Sequence, residues 1–170
     1  MVWRATSEES KTMDGSSRKS AMKERVENGV PVGLLGYSEG VPKAWCSIAP
    51  RSTYRRGLAD VREGDEKQNV WSLVCFFVRR DMRRQGVMKA LLEAAMHHAA
   101  AHGGTILEAY PVDEDSPSYR FGGFLPVFQT DGFVRVGKAG TRRHVVRHSL
   151  RHSLRGSTIS PVEAPIPDFS

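Results

Sequence analysis

The clearest feature of the chain is a nearly continuous apolar run from Val70 to Val78, which contains Trp71, Phe76 and Phe77. Its length and aromatic content favour a strand that is buried on both faces and lies at the centre of a sheet. From residue 86 to residue 102 apolar side chains recur at helical spacing, and two glycines close the segment. This pattern predicts the longest helix of the protein. Its apolar stripe comprises Val87, Ala90, Leu91, Ala94, Ala95 and His98.

Shorter segments surround these two elements. Apolar residues at helical spacing predict an amphipathic helix from Ser17 to Asn28. A short helix from Phe124 to Thr130 accommodates Pro126 in its first turn. Residues 5–20 are predicted to be loop or weak helix, and residues 51–69 a long surface loop. Further strands are predicted at Val32–Tyr37 and Lys43–Ile48, which form a hairpin, and at Thr105–Tyr110, Phe133–Lys138 and Arg143–Arg147.

Length and composition indicate one globular domain. The 170 residues are 39% hydrophobic and 26% charged, which suits a single core. We expect this domain to span residues 1–150, with an irregular start over residues 1–16. A basic and then proline-rich tail, predicted to be disordered, follows over residues 151–170.

The net charge of +6 is concentrated near the end of the chain. Between Gly132 and Val162 there are seven basic residues and no Asp or Glu, and the rest has 18 basic against 19 acidic residues. No aromatic interleaving or nucleic-acid fold signature accompanies the basic segment, so a nucleic-acid partner is not expected. Two cysteines, the lack of a signal peptide and the lack of a long apolar run predict a cytoplasmic protein without membrane association.

The junction between the central strand and the long helix carries the candidate chemistry. Its sequence, Val78-Arg-Arg-Asp-Met-Arg-Arg-Gln-Gly-Val-Met88, places an arginine-rich loop and a glycine where a helix begins. Free backbone N–H groups and the positive end of the helix dipole converge there, and a side chain at Gly86 would keep an anion away from them. This arrangement predicts a phosphate site. The glycine patterns of nucleoside-triphosphate loops and of dinucleotide-binding folds are absent from the sequence.

This junction resembles the signature of the GCN5-related N-acetyltransferase (GNAT) superfamily, Arg/Gln-x-x-Gly-x-Gly/Ala. Arg83 and Gly86 match the signature, whereas Met88 departs from the small residue usual at its last position. The predicted order of elements from about residue 17 to 148 is also that of the family. Residues 70–80 and 140–145 look like a bacterial subgroup whose members mostly lack an assigned substrate. The resemblance implies an α/β fold with a central mixed, mostly antiparallel twisted sheet, flanked by helices and splayed between the family's fourth and fifth strands.

The resemblance further implies acetyl-CoA as donor, no metal, and direct attack of an amine on the thioester. The splay would open here beyond Val78 and Tyr110. Arg79, Arg80 and Lys89 would reach the outer phosphates. The pantetheine arm would bind the backbone of Phe76, Phe77 and Val78, and the pyrophosphate would bind the amides of Arg83, Arg84, Gln85, Gly86, Val87 and Met88.

Departures from the family pattern leave the proton-transfer groups open. The tyrosine that commonly serves as acid is replaced by Phe128, so Tyr119 or Tyr110 supplies the proton, or water does. Glu108 is the candidate base, directly or through water. Phe121 stands where the family usually has an asparagine. A full first strand is also expected, of which only Met1–Arg4 is a candidate remnant.

The resemblance implies an amine of a small molecule or peptide as acceptor, and homodimers are common in the resembling family. The acidic residues 113–115 are a candidate attractor for a cationic amine. One alternative is an acyl-CoA-binding sensor or pseudoenzyme that keeps the cofactor cleft without turnover. A third hypothesis is a module that binds anionic polymers through the basic tail.

Overall fold

A computed structural model describes residues 3–5, 7–55, 58–59 and 64–150. The predicted tail, residues 151–170, lies outside them. Five of the predicted elements agree with the structure within one residue at each end: the central strand, the long helix, the short helix that begins near Pro126, and the strands predicted at Thr105–Tyr110 and Phe133–Lys138. The elements are α1 (Ser7–Thr12), α2 (Gly15–Glu27), β1 (Leu34–Ser38), β2 (Val41–Pro50), β3 (Val70–Val78), α3 (Val87–Ala101), β4 (Ile106–Ala109), α4 (Leu125–Thr130), β5 (Val134–Ala139) and β6 (Arg143–Ser149).

The six strands form one open, mixed sheet in the order β1-β2-β3-β4-β6-β5. Only β3 and β4 run parallel, and the other neighbours are antiparallel. The predicted α/β sheet, mixed and mostly antiparallel, is thereby confirmed. No strand precedes α1 in the described part of the chain: Trp3 and Arg4 form a turn, although both are buried.

The two faces of the sheet are covered differently. On one face α3 and α4 pack against the sheet through Leu91, Leu92, Ala95, Ala99 and Phe128. The stripe predicted for α3 is therefore partly wrong, because Ala90 and Ala94 are exposed. Among the described residues, Trp3, Tyr54 and Leu58 cover the other face, and none of the three belongs to an α-helix. The predicted amphipathic helix exists as α2, but it buries no residue.

The pairing of β3 with β4 is short. It runs from Val70–Ile106 to Leu73–Ala109, and β3 then continues for five residues beside β2 alone. Beyond Ala109 the chain of β4 bonds to a different segment: the Val112 N–H donates to Gly123 O at 3.0 Å, and the Leu125 N–H donates to Val112 O at 3.0 Å. We call the space between residues 74–78 of β3 and the chain after Ala109 the gap. It opens at Leu73, five residues before the predicted Val78.

Gly123 holds the segment beside the gap in place. Its φ of 83° and ψ of 178° are accessible to glycine almost alone. A Cβ atom there would lie 2.6 Å from the Met88 Cε atom and 2.9 Å from the Phe128 Cε2 atom. The segment therefore packs against α3 and α4 only if residue 123 has no side chain.

We predict that Gly123→Ala lowers the free energy of unfolding by about 3 kcal/mol, because backbone strain and overpacking add. Gly140→Ala is the matched control, since Gly140 also has a positive φ (68°) but no atom within 4 Å of a Cβ. The control should lose about 1 kcal/mol. Urea denaturation measures both, and equal losses would contradict the packing argument.

Candidate active site

The loop before α3 forms a cradle of backbone N–H groups, contributed by residues 84–89. Arg84 and Gly86 have positive φ angles of 60° and 76°, which turn successive amides towards one side. No described residue accepts a hydrogen bond from these six N–H groups. A Cβ at Gly86 would meet no atom within 4 Å, so the space over the amides is open. The cradle therefore has the donors and the room that an anion requires.

The basic side chains around the cradle differ in how freely they could contact a bound phosphate. Arg83 donates from Nε to Val78 O at 3.0 Å and so ties the loop to the end of β3. Arg79 contacts Asp81 at 3.2 Å, and Lys89 contacts Asp131 at 3.5 Å. Arg80 and Arg84 are exposed and have no hydrogen bond or ion pair of their side chains to the described residues. These two have the greatest freedom to contact a phosphate.

Met88, which departs from the family signature, lies away from the open side of the cradle. Its side chain is partly buried against the core that α3 and α4 share with the sheet. It approaches Gly123, as described above, and so fills space beside the gap. The large residue at this position is accommodated by packing and leaves the amides accessible.

A β-bulge reorients the side chains of β3 where the gap begins. Ser47 of β2 pairs with Cys75 and the next residue, Ile48, pairs with Leu73, so Val74 is the extra residue. After the bulge, Phe76 and Val78 pack against the helix-covered core. Cys75 lies at the opposite face, where it lines a cavity. The same strand thus supports the core on one side and a ligand-sized space on the other.

That space, the aromatic cavity, has a volume of about 420 Å³. It meets β3 at residues 74–77, which belong to the part of the strand that faces the gap. Arg4 and Ser47 are its principal polar side chains, with the Tyr54 hydroxyl bonded to Ser47 Oγ at 3.2 Å. Six aromatic residues line it: Trp3, Trp45, Tyr54, Phe76, Phe77 and Phe121.

Glu108 lies in a buried ion cluster. Its side chain is fully buried and accepts hydrogen bonds from Arg147 Nε at 2.7 Å and from the Tyr110 hydroxyl at 2.6 Å. Arg51 lies 3.4 Å away, and Asp65 contacts both arginines. Its carboxylate is thereby committed to internal partners. This geometry is that of a structural counterion, and the predicted role as base remains a prediction.

The tyrosine candidates lie in different environments. Tyr110 is buried, and desolvation together with the neighbouring Glu108 holds its pKa well above the usual range. Tyr119 is 39% exposed, and its ring lies 6.3 Å from Trp3 and 6.0 Å from Phe121. Tyr119 thus adjoins the aromatic cavity, whereas Tyr110 bonds to Glu108 and to Ser72. The structure does not gather the three predicted catalytic residues into one group.

Phe128 cannot transfer a proton and is fully buried. Its ring lies 5.2 Å from Phe133 and 6.3 Å from Phe76. The position that commonly carries the family's acid is therefore part of the core in this protein.

Sequence reasoning missed the residues that close the aromatic cavity from outside the sheet, Trp3, Arg4 and Tyr54. They come from the N-terminus and from the predicted surface loop, where the only signal was large aromatic residues in otherwise polar stretches. Within the described residues, no three His, Cys, Asp or Glu side chains are grouped to bind a metal. No helix there is both long and apolar enough to span a membrane.

Comparisons with known proteins identify the family to which the chain belongs. Residues 5–122, more than half of the chain, match the acetyltransferase (GNAT) family. The chain therefore belongs to the GNAT family of acetyltransferases, as the cradle motif and the order of elements had indicated. A search of curated proteins gave no significant match.

Solved structures share the fold at low sequence identity. An N-acetyltransferase from Staphylococcus aureus is 14% identical with a TM-score of 0.55, over 82% of this chain and 79% of its own. A second acetyltransferase is 15% identical with a TM-score of 0.58, over 83% and 84%. YncA from Salmonella typhimurium, solved with acetyl-CoA, is 17% identical with a TM-score of 0.53, over 83% and 76%.

We predict that Glu108→Gln lowers the free energy of unfolding by about 3 kcal/mol, because it leaves buried guanidinium charge with less compensation. Glu114→Gln, at an exposed position, is the control and should change stability little. Urea denaturation measures the loss. A variant that keeps its stability but loses acetyl transfer would instead favour the role of Glu108 as a base.

Proposed function

We propose that the protein is an N-acetyltransferase that uses acetyl-CoA as donor and the amine of a small molecule or peptide as acceptor. One observation carries the proposal: a cradle of six N–H groups without an acceptor among the described residues, open above Gly86, lies beside the part of β3 that is not paired with β4. The family membership supports the reaction class. The cytoplasmic location and the homodimer remain predictions.

The cradle fits a pyrophosphate. The N–H groups of residues 84–88 would donate to its oxygens, and the N-terminus of α3 would favour the negative charge. Arg80 and Arg84 would contact further phosphates, with Arg79 and Lys89 available after release of their acidic neighbours. In this proposal Arg83 positions the loop through its bond to Val78 O.

The backbone of β3 after the bulge would hold the pantetheine arm. These residues have no partner strand on the β4 side, so their amides and carbonyls offer the hydrogen bonds that an extended ligand needs. Val78 O already accepts from Arg83. Phe76 and Phe77 therefore provide the backbone groups with the greater freedom.

When bound, acetyl-CoA supplies an activated acetyl thioester. The aromatic cavity would deliver the acceptor nitrogen to the gap, since both meet β3 at residues 74–77. The nitrogen forms a bond to the acetyl carbon as the carbon–sulfur bond breaks, and the nitrogen loses one proton while the sulfur gains one. Tyr119, beside the cavity, remains the candidate that donates a proton to the sulfur, and water is the alternative donor. Water would accept the amine proton directly, and Glu108 stays the candidate base that this water would reach.

The first experiment separates binding from turnover. Acetyl-CoA should raise the melting temperature, and thiol release should follow addition of an acceptor amine. Stabilisation without release from any amine would favour the acyl-CoA-binding sensor, and the absence of stabilisation would refute both hypotheses.

We predict that Gly86→Glu weakens acetyl-CoA binding by at least about tenfold, because its carboxylate would occupy the space above the amides and repel phosphate. Gly40→Glu is the matched control, since Gly40 has φ 75° and equally open surroundings in the β1–β2 turn. Calorimetry should find the loss only in Gly86→Glu. Unchanged affinity would show that the cradle does not bind the pyrophosphate.

Substitution of Cys75 tests whether the amine attacks the thioester directly, without a covalent intermediate on the enzyme. Cys75 lines the aromatic cavity, but burial raises the pKa of its thiol, so it is protonated at neutral pH and a poor nucleophile. We predict that Cys75→Ala keeps kcat within about threefold. No burst of CoA should appear before an acceptor is added. A burst that Cys75→Ala abolishes would instead indicate an acetyl-cysteine intermediate.

A further inference from the structure

Arg4 is a buried cation in the aromatic cavity, and it has no carboxylate partner among the residues that the structure describes. Its side chain donates from Nη1 to Thr53 Oγ1 and from Nη2 to Val32 O, each at 3.3 Å, and stacks 4.3 Å from the centre of the Tyr54 ring. Only 8% of the residue is exposed. Among the described residues no Asp or Glu lies within ion-pair distance of it. Its Nε atom is buried and has no hydrogen-bond partner.

This arrangement costs free energy. A buried charge is stable when it is paired, and an unmatched buried donor loses its hydration without compensation. Desolvation lowers the pKa of Arg4, which is the sign expected of that cost. An anionic ligand group in the cavity, which Arg4 lines, would supply the missing charge.

Two further guanidinium groups increase the positive charge around the cavity. Arg55 lies 5.1 Å and Arg143 lies 4.4 Å from the centre of the Trp3 ring. Neither forms an ion pair with the described residues, in contrast to Arg51 and Arg147, which contact Asp65 and Glu108. The resulting potential would attract an anion and oppose a purely cationic molecule.

The wall of the cavity continues as an apolar surface. Leu35 pairs with Trp45, and Trp45 pairs with Phe77, so the three side chains form a row across β1, β2 and β3. Leu35 is 44% and Phe77 54% exposed. An aromatic or large aliphatic group on the ligand would bury this row and the rings beside it.

We propose that the acceptor is a small amino carboxylate with an aromatic or large aliphatic side chain, and that Arg4 binds its carboxylate. This inference rests on the proposed function, because the cavity meets β3 where the acetyl group would lie. The amine then points to the gap, the apolar group lies on the aromatic wall, and the carboxylate neutralises the guanidinium charge of Arg4.

The test compares phenylalanine with phenethylamine, which lacks only the carboxylate, by calorimetry in the presence of CoA. Phenylalanine should bind at least about tenfold more tightly than phenethylamine. In Arg4→Met that preference should vanish through weaker binding of phenylalanine, whereas Arg4→Lys should keep part of it. Arg135→Met, at an exposed position on β5, is the matched control and should retain the preference.

Acetyl-CoA stabilisation of each variant verifies folding and the donor site independently. Spermidine, a polyamine without a carboxylate, is the third amine measured. If acetyl-CoA stabilises the wild-type protein but phenethylamine or spermidine binds as tightly as phenylalanine, the inference is wrong and the proposed function stands. The inference is likewise wrong if none of the three amines binds, or if Arg4→Met keeps the preference. If acetyl-CoA itself fails to stabilise the protein, the proposed function fails first.

Discussion

The early end of the β3–β4 pairing is the constraint on which the rest of the site depends. Two parallel strands that stayed paired would satisfy each other's backbone groups and leave no room between them. Here pairing stops at Leu73 and Ala109, and the chain after Ala109 bonds instead to the segment around Gly123. Among the strands that the structure describes, the remaining half of β3 pairs with β2 alone. A sheet that was continuous at this point could neither accept an extended ligand nor connect the cradle to the aromatic cavity.

The bulge at Val74 allows residues 74–78 of β3, which β4 does not pair with, to contact different surroundings on their two faces. In a regular strand, side chains alternate strictly between the two faces. The extra residue shifts this alternation, so Phe76 and Val78 pack against the core under α3, whereas Cys75 and Phe77 line the cavity from the opposite face. Phe76 contacts both the core and the cavity. The core contacts hold the strand in place although it lacks a second partner. Packing on one face therefore permits an open edge and a ligand-sized space on the other.

The sequence was most informative where the signal is local. The apolar run 70–78 and the glycine at the start of α3 predicted the central strand and the cradle, because hydrophobic pattern and helix-start chemistry act over a few residues. The bulge and the point where pairing ends depend on contacts with β2 and with the segment at Gly123, which no local pattern encodes. Glu108 shows the same limit. Its ion-pair partners Arg51 and Arg147 lie 57 and 39 residues away along the chain, so no local pattern reveals that the carboxylate predicted to act as a base is already paired.

Electrostatics shows most clearly why position along the chain is a poor guide to position in the fold. The sequence assigns the excess of basic residues after Gly132 to the C-terminal quarter. In the structure Arg147 of that quarter is balanced by Asp65 and Glu108, whereas Arg143 stacks on Trp3, the neighbour of Arg4. Arginines from the two ends of the chain thus lie near one cavity. Whether each arginine is paired with a carboxylate matters more than how many arginines there are. The net charge says little about the partner, because neutralised and unneutralised arginines contribute to it equally.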